Sequence, residues 1–214
     1  MINEKESTKL KIMDAAISLF NVQGFNGTSV RMIADRANVN VALISYYFGN
    51  KKGLLEELMA TFFEGFNSAL EEGVQLLNKR PTRDCLLIAL ENALVYQQEN
   101  HHLARFVHRE ITLDTTLVRE VMSTYLMKEK HMYYQMIKNG MDRQEFKRQP
   151  IDFIIIQLRG MLIMPFLHPQ YIREVHHLIP HERYFLKHYI SYLSMWMDSY
   201  LSQKPNLFVT KASG

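Results

Sequence analysis

GFNGTSVRMIADRANVNVALISYYFGNKKGLLEEL, residues 24–58, decides the fold. Asn26-Gly27 signals a turn, and Thr28 or Ser29 can accept hydrogen bonds from the first amides of a following helix. That helix is expected over about 29–36, with Val30, Ile33, Ala34 and Ala37 facing inward. Ala37-Asn38-Val39 makes a tight turn in which Asn38 tolerates the left-handed conformation usually left to glycine. Asn40 caps a third, short helix of about 41–47. Two short helices joined by a three- or four-residue turn form a helix-turn-helix arrangement. The same spacing also fits a plain three-helix piece of an all-α core.

Upstream, Ile12, Ala15, Ala16, Leu19 and Phe20 recur at helical spacing, which predicts a first helix over 8–22 that ends near Gly24. Nine Gly and six Pro in 214 residues amount to about 7%, below the ~12% of average usage. Few turn-formers beside 13 Met and 12 Phe argue for long helices and exclude collagen-like or Gly/Pro-rich disordered chains. The formal charge of +3 is unevenly spread. Residues 1–55 carry seven basic and four acidic side chains, so the rest of the chain balances to zero. A local basic excess suits a module that binds a polyanion.

Gly24-Phe25, Thr28-Ser29-Val30, Ile33-Ala34, Ala37-Asn38-Val39, Tyr46-Tyr47-Phe48, Lys51 and Leu54-Leu55 resemble the TetR/AcrR type of bacterial DNA-binding regulator. The resemblance implies an all-α protein. An N-terminal three-helix DNA-binding head with a helix-turn-helix would span residues 1–53. A C-terminal helical bundle over 54–203, divergent within the family, would form the homodimer and bind ligands or partners, and 204–214 would be a frayed tail. Such a dimer reads a near-palindromic double-stranded site with recognition helices in successive major grooves, roughly 34–36 Å apart. It works in the cytoplasm in association with the nucleoid.

Within that expectation, Thr28, Ser29 and the amides behind them bind one phosphate at a helix N-terminus. Tyr47 and Lys51 grip another, and Lys52 adds charge. Base readout falls to Asn40, Val41, Ala42, Leu43, Ser45 and Tyr46, with Arg31 reaching in from the second helix. Apolar Val41, Ala42 and Leu43 can touch thymine methyls but cannot make bidentate hydrogen bonds, so Arg31, Asn40 and Tyr46 are the stronger base readers. Ile44 and Phe48 are expected in the core.

Further helices are expected over about 54–78, 83–99, 102–111, 115–139, 151–167 and 183–202. Glu129, with Lys128 and Lys130, reads as a solvated face. The segment IDFIIIQLRGMLIMPFL, 151–167, is short for a membrane span and contains Asp152, Arg159 and Pro165. Helices this apolar belong in a core or a subunit interface. Paired with 183–202, they predict a four-helix dimer contact through Ile155, Leu158, Leu162, Tyr189, Leu193, Trp196 and Tyr200. The alternative is that both serve only the subunit's own core.

Nine histidines invite a metal site, but His101-His102 and His176-His177 are adjacent pairs whose side chains diverge on a helix. No Asp, Glu or Cys partner stands at a ligand spacing, so neither metal nor other cofactor is expected. Without a Gly-rich phosphate loop, a nucleophile elbow or a paired-carboxylate signature, an enzyme is not expected either. Cys85 lies among Leu86, Leu87 and Ile88 and reads as an inert buried thiol. In HHLARFVHREITLDTTLVREV, 101–121, Arg105, Arg109 and Arg119 form either a salt-bridged solvent face or a basic surface that docks a protein partner.

REITLDTTLVREVMSTYLMKEK and MPFLHPQYIREV resemble the RefZ cell-division regulators of Bacillus and its relatives, a TetR-like branch. That likeness implies a DNA-bound dimer acting on the division protein FtsZ near its chromosomal sites. The competing expectation is a ligand-responsive repressor with a small-molecule effector, of unknown identity, in its Met- and aromatic-rich C-terminal domain.

Overall fold

The computed structural model describes residues 4–203. The expected tail, 204–214, lies outside them. The described residues form eleven α-helices and two π-helical turns. Helices α1 (Glu4–Gly27), α2 (Val30–Ala37) and α3 (Ala42–Phe48) make the head. Ile12, Ala16, Phe20, Ile33, Ala34, Ile44 and Phe48 close over one core there. The expected first helix therefore begins earlier, and it is broken at Gly24, whose φ of 74° and ψ of 167° are non-helical.

α4 (Lys51–Gln75) starts under the head and runs on into the body without a linker, so the 53/54 boundary falls inside a helix. Asn50 caps it by accepting from Lys52 and Gly53 at 2.8 and 3.1 Å. A Cβ on Gly53 would lie 2.1 Å from the Phe48 carbonyl oxygen, so only glycine lets α4 follow α3 this closely.

α4 and α5 (Thr82–Glu99) form the antiparallel hairpin at the centre of the body. α6 (His101–Glu110) packs between α1 of the head and α9 (Ile151–Leu167). α7 (Thr116–Val121) leads through a π-helical turn, Met122–Leu126, into α8 (Met127–Asp142). α10 (Pro169–His176) was not foreseen in the sequence. Pro169 sits in its first turn, where the missing N–H costs nothing. α11 (Arg183–Trp196) and a second π-helical turn, Met197–Leu201, complete the described chain.

Among the described residues no single helix is long and apolar enough to cross a membrane, and α9 bends by 77° into α10. Pro165 is buried inside α9, two residues before the helix stops. Burial pushes the Cys85 thiol pKa up, as expected for an inert cysteine.

Two expectations for the body need correction. Glu129 is not on a solvated face: it is 2% exposed, and its Oε1 accepts from Arg159 Nε at 3.0 Å. Its neighbours Lys128 and Lys130 are exposed, and a charged triplet in sequence hides that its middle member turns inward. Ile155, Leu158, Leu162 and Leu193 are buried within the subunit's own core, so they are not available to a second copy. Tyr189 and Trp196 are half-buried, with the Tyr189 hydroxyl donating to the Met161 carbonyl at 2.8 Å. Only Tyr200 of that set is exposed. The outward faces instead carry Phe153, Ile156 and Met164 on α9 and Tyr184, Tyr192 and Met195 on α11. A helix apolar nearly all round gives no signal as to which stripe faces the core.

Candidate nucleic-acid interface

α2 and α3 meet at the turn the sequence specifies. Asn38 is left-handed at φ 53°, ψ 51°, and the Val39 amide donates to the Ala34 carbonyl at 3.0 Å. Ser29 caps α2 through its Oγ, which accepts from Met32 N at 3.2 Å. Asn40 holds the start of α3, its Oδ1 accepting from Ala42 N at 2.8 Å. That bond orients the side-chain amide and leaves its Nδ2 donors and the second lone pair of Oδ1 free.

The two sides of α3 differ sharply. Ile44 and Phe48 are buried in the head, as expected. Val41, Ala42, Ser45 and Tyr46 are exposed, and Leu43 is half-buried. Tyr46 is 67% exposed, with its ring edge-on to Tyr47 at 5.0 Å. Arg31 is exposed on α2. Among the described residues, Lys11, Arg31 and Arg36 form no ion pair, so their charge is available to a polyanion.

Two residues expected to grip phosphate are otherwise engaged. Thr28 is 2% exposed, with its hydroxyl donating to the Gly24 carbonyl at 2.9 Å and its amide to Phe25 O at 3.3 Å. Lys51 Nζ donates to the carbonyls of Phe25 and Thr28 at 2.9 and 2.8 Å and lies 4.3 Å from the Phe25 ring centroid. It therefore pins the end of α1 to the start of α4. The 25–28 turn exposes carbonyls that the nearest ammonium satisfies, a demand no motif reveals. Of the other residues expected to meet phosphate, Ser29 and Lys52 are exposed and Tyr47 is half-buried, and the first amides of α2 have no acceptor within the helix. Lys52 pairs with Glu56 one turn on, at 3.3 Å.

The proposed arginine surface does not come together either. Arg109 is drawn inward: it donates to the carbonyls of Phe20 and Asn21 at 2.6 and 3.4 Å and so ties α6 to the end of α1. Arg105 is half-buried on a groove of about 560 Å³ between α1 and α6. Arg119 remains exposed and pairs with Asp114 at 2.7 Å.

Inside the body, polar side chains converge from four helices. Gln97 Nε2 donates to the Leu162 carbonyl at 3.1 Å, which leaves its Oε1 to accept from His108 Nε2 at 2.6 Å. Burial, and then Arg159, lower the His108 pKa to about 3, so the ring is neutral. Glu129 and Arg159 lie nearby. The Tyr133 hydroxyl is fully buried without a hydrogen-bond partner among the described residues. Nothing in the sequence spacing announced this cluster, because its members come from α5, α6, α8 and α9.

The sequence pattern of the bacterial regulatory proteins of the tetR family matches residues 12–58. The protein described as "Probable HTH-type transcriptional regulator YttP" of Bacillus subtilis is 47% identical over 195 residues, covering 91% of this chain and 94% of its own length. The HTH-type transcriptional regulator BetI of Burkholderia thailandensis is 36% identical over 55 residues, 26% of this chain and 28% of BetI. In three dimensions, the TetR family transcriptional regulator PfmR from Thermus thermophilus superposes with a TM-score of 0.73 at 16% identity, covering 90% of this chain and 99% of PfmR. The ketosteroid transcriptional regulator KstR2 of Mycobacterium tuberculosis gives 0.73 at 14% identity, with 92% and 95% covered.

Proposed function

Because the chain belongs to the TetR family of bacterial regulatory proteins, we propose that it acts as a homodimer placing two copies of α3 in successive major grooves of a near-palindromic duplex. It is a DNA-binding transcriptional regulator of TetR type and not an enzyme. The observation that carries the groove assignment is the exposed Val41–Ala42–Ser45–Tyr46 side of α3, opposite the buried Ile44 and Phe48. Exposed Phe153, Ile156, Tyr192 and Met195 on α9 and α11 support dimerisation through these two helices. Bound in this way to the chromosome, the protein travels with the nucleoid.

The reading of the body that the geometry favours is ligand response. Its support is the convergence of Gln97, His108, Glu129, Arg159 and the unpartnered Tyr133 hydroxyl inside the bundle. A buried hydroxyl without a partner is a standing cost that a polar ligand group would relieve. The test begins with selection of bound duplexes from a random-sequence library. Small molecules are then screened for release of the protein from the selected duplex. Tyr133→Phe should keep DNA affinity and lose the response; an unchanged response sinks this assignment.

A second reading is division control through FtsZ. It is favoured by the likeness of residues 109–130 and 164–175 to the RefZ proteins, together with exposed Arg119, Tyr171 and Val175 in those stretches. Mapping of bound chromosomal sites separates the two. Sites at promoters favour the repressor, and a few sites clustered by chromosomal position favour division control. Arg119→Glu should then spare DNA binding and remove inhibition of purified FtsZ assembly.

A further inference from the structure

The corner where α5 gives way to α6 brings three imidazoles together, although adjacent histidines were expected to diverge. The His101 ring centroid is 4.1 Å from that of His102, with the planes tilted by 42°, and 4.5 Å from that of His181, with the planes 13° from parallel. His101 opens α6, where the chain turns between helices, so the spacing rule for helix interiors does not hold it apart from His102. Gln98 ties the corner from both sides. Its backbone carbonyl accepts from His101 Nδ1 at 3.2 Å, and its side-chain amide donates to the His181 carbonyl at 3.0 Å. A carbonyl only accepts, so the neutral His101 ring carries its proton on Nδ1 and leaves Nε2 bare.

The stack joins two parts of the molecule that regulation must connect. The His102 carbonyl accepts from Asn21 Nδ2, on α1 of the head, at 2.8 Å. His181 lies two residues before α11, the helix with the exposed aromatic face. The charged groups facing the corner are Arg105 on α6, Glu99 on α5 and Asp14 on α1, which line the same groove as His101 and His102, and Glu182 next to His181. Burial, then His102, holds the His101 pKa below the ordinary 6.5.

We propose that the His101–His181 stack, with His102 against its other side, is a proton-operated release that loosens the head from the body on acidification. Neutral rings can lie face to face, whereas two imidazolium rings at these separations repel. Above pH 6.5 the His101 ring, whose pKa burial holds down, is neutral and the corner stays closed. As pH falls below it, the opened form takes up protons that the closed stack refuses, so the closed form is lost. The head is then held less firmly and DNA affinity drops. Added positive charge by itself acts the other way, since it strengthens binding to any polyanion. The direction of the pH effect therefore identifies the device.

The test uses the full-length protein and the duplex recovered by selection, at constant ionic strength, from about pH 8 to about pH 5. The wild type should lose about tenfold or more in affinity across the acid half of that range. The double variant His101→Gln, His181→Gln should stay flat or gain affinity, and His131→Gln, at an exposed position on α8, should follow the wild type. Wild-type binding that strengthens in acid overturns the proposal, as does a double variant that keeps the wild-type profile. If the double variant is unfolded at neutral pH by circular dichroism, imidazole NMR of the wild type decides. Split, coupled midpoints for His101 and His181 support the release; independent ordinary titrations overturn it. If no duplex is selected, the DNA-binding reading fails separately. Hydrogen exchange of the α1 and α6 amides over the same pH series still tests the release, and no acid-dependent opening there sinks it.

Discussion

Glu129 and Arg159 form an ion pair across α8 and α9, with Nε to Oε1 at 3.0 Å, the carboxylate side chain 3% and the guanidinium side chain 30% exposed. A charge this deep is stable only while paired and hydrogen-bonded. Removing one partner strands the other. Arg159→Met should therefore cost about 3 kcal/mol in urea unfolding, and Glu129→Met with Arg159→Met together should cost less than either alone. A double variant as damaged as the sum of the singles would contradict this coupling.

His108 supplies a pH-dependent stability. Its folded pKa of about 3 lies below the ordinary 6.5, so the unfolded chain takes up the proton first as pH falls. The stability it supports is whole above 6.5 and declines toward 3, by up to about 1.4 kcal/mol per pH unit. His108→Gln should flatten that decline in denaturant titrations. An unchanged slope would show that other groups govern it.

Lys51 and Lys52, adjacent in sequence, should behave differently. Lys51→Ala removes two hydrogen bonds to the 25–28 turn, and should lower the stability of the head by about 1–2 kcal/mol. Lys52→Ala should leave the melting temperature alone and reduce the salt slope of DNA binding by about one unit. Thermal melts beside salt titrations separate the two effects.

Arg31→Ala should relax specificity, costing about 1–3 kcal/mol on the selected duplex and little on a scrambled one. Tyr46→Ala should weaken binding without altering thermal stability, because its ring lies outside the core. Equal loss on both duplexes would refute the base-reading role of Arg31.

If the exposed faces of α9 and α11 form the proposed subunit interface, Ile156→Glu or Tyr192→Glu should give a folded monomer in sedimentation. Leu158→Ala should instead cost about 2–5 kcal/mol of stability, because Leu158 is fully buried in its own subunit. A dimeric Ile156→Glu protein would remove that face from consideration.

The head was legible because its signals are local. Asn38 must be left-handed, Ser29 and Asn40 must cap, and Ile33, Ile44 and Phe48 sit at helical spacing, all within twenty residues of one another. The ranges of most helices followed from periodicity, and α9 has the span expected. What periodicity could not decide was orientation. Ile155 and Ile156 are neighbours of identical chemistry, yet one is 6% and the other 65% exposed.

The sequence by itself determined an all-α chain with a helix-turn-helix at its basic end, because caps, turns and hydrophobic period act over a few residues. Only the tertiary structure decided that Lys51 and Arg109 are spent on carbonyls of the head, that Glu129 turns inward to Arg159, and that His101 stacks on His181. A charged side chain far from its partner in sequence, or not yet facing it, carries no local mark of the bond it will make. Its role is fixed when helix packing withdraws water and leaves one partner within reach.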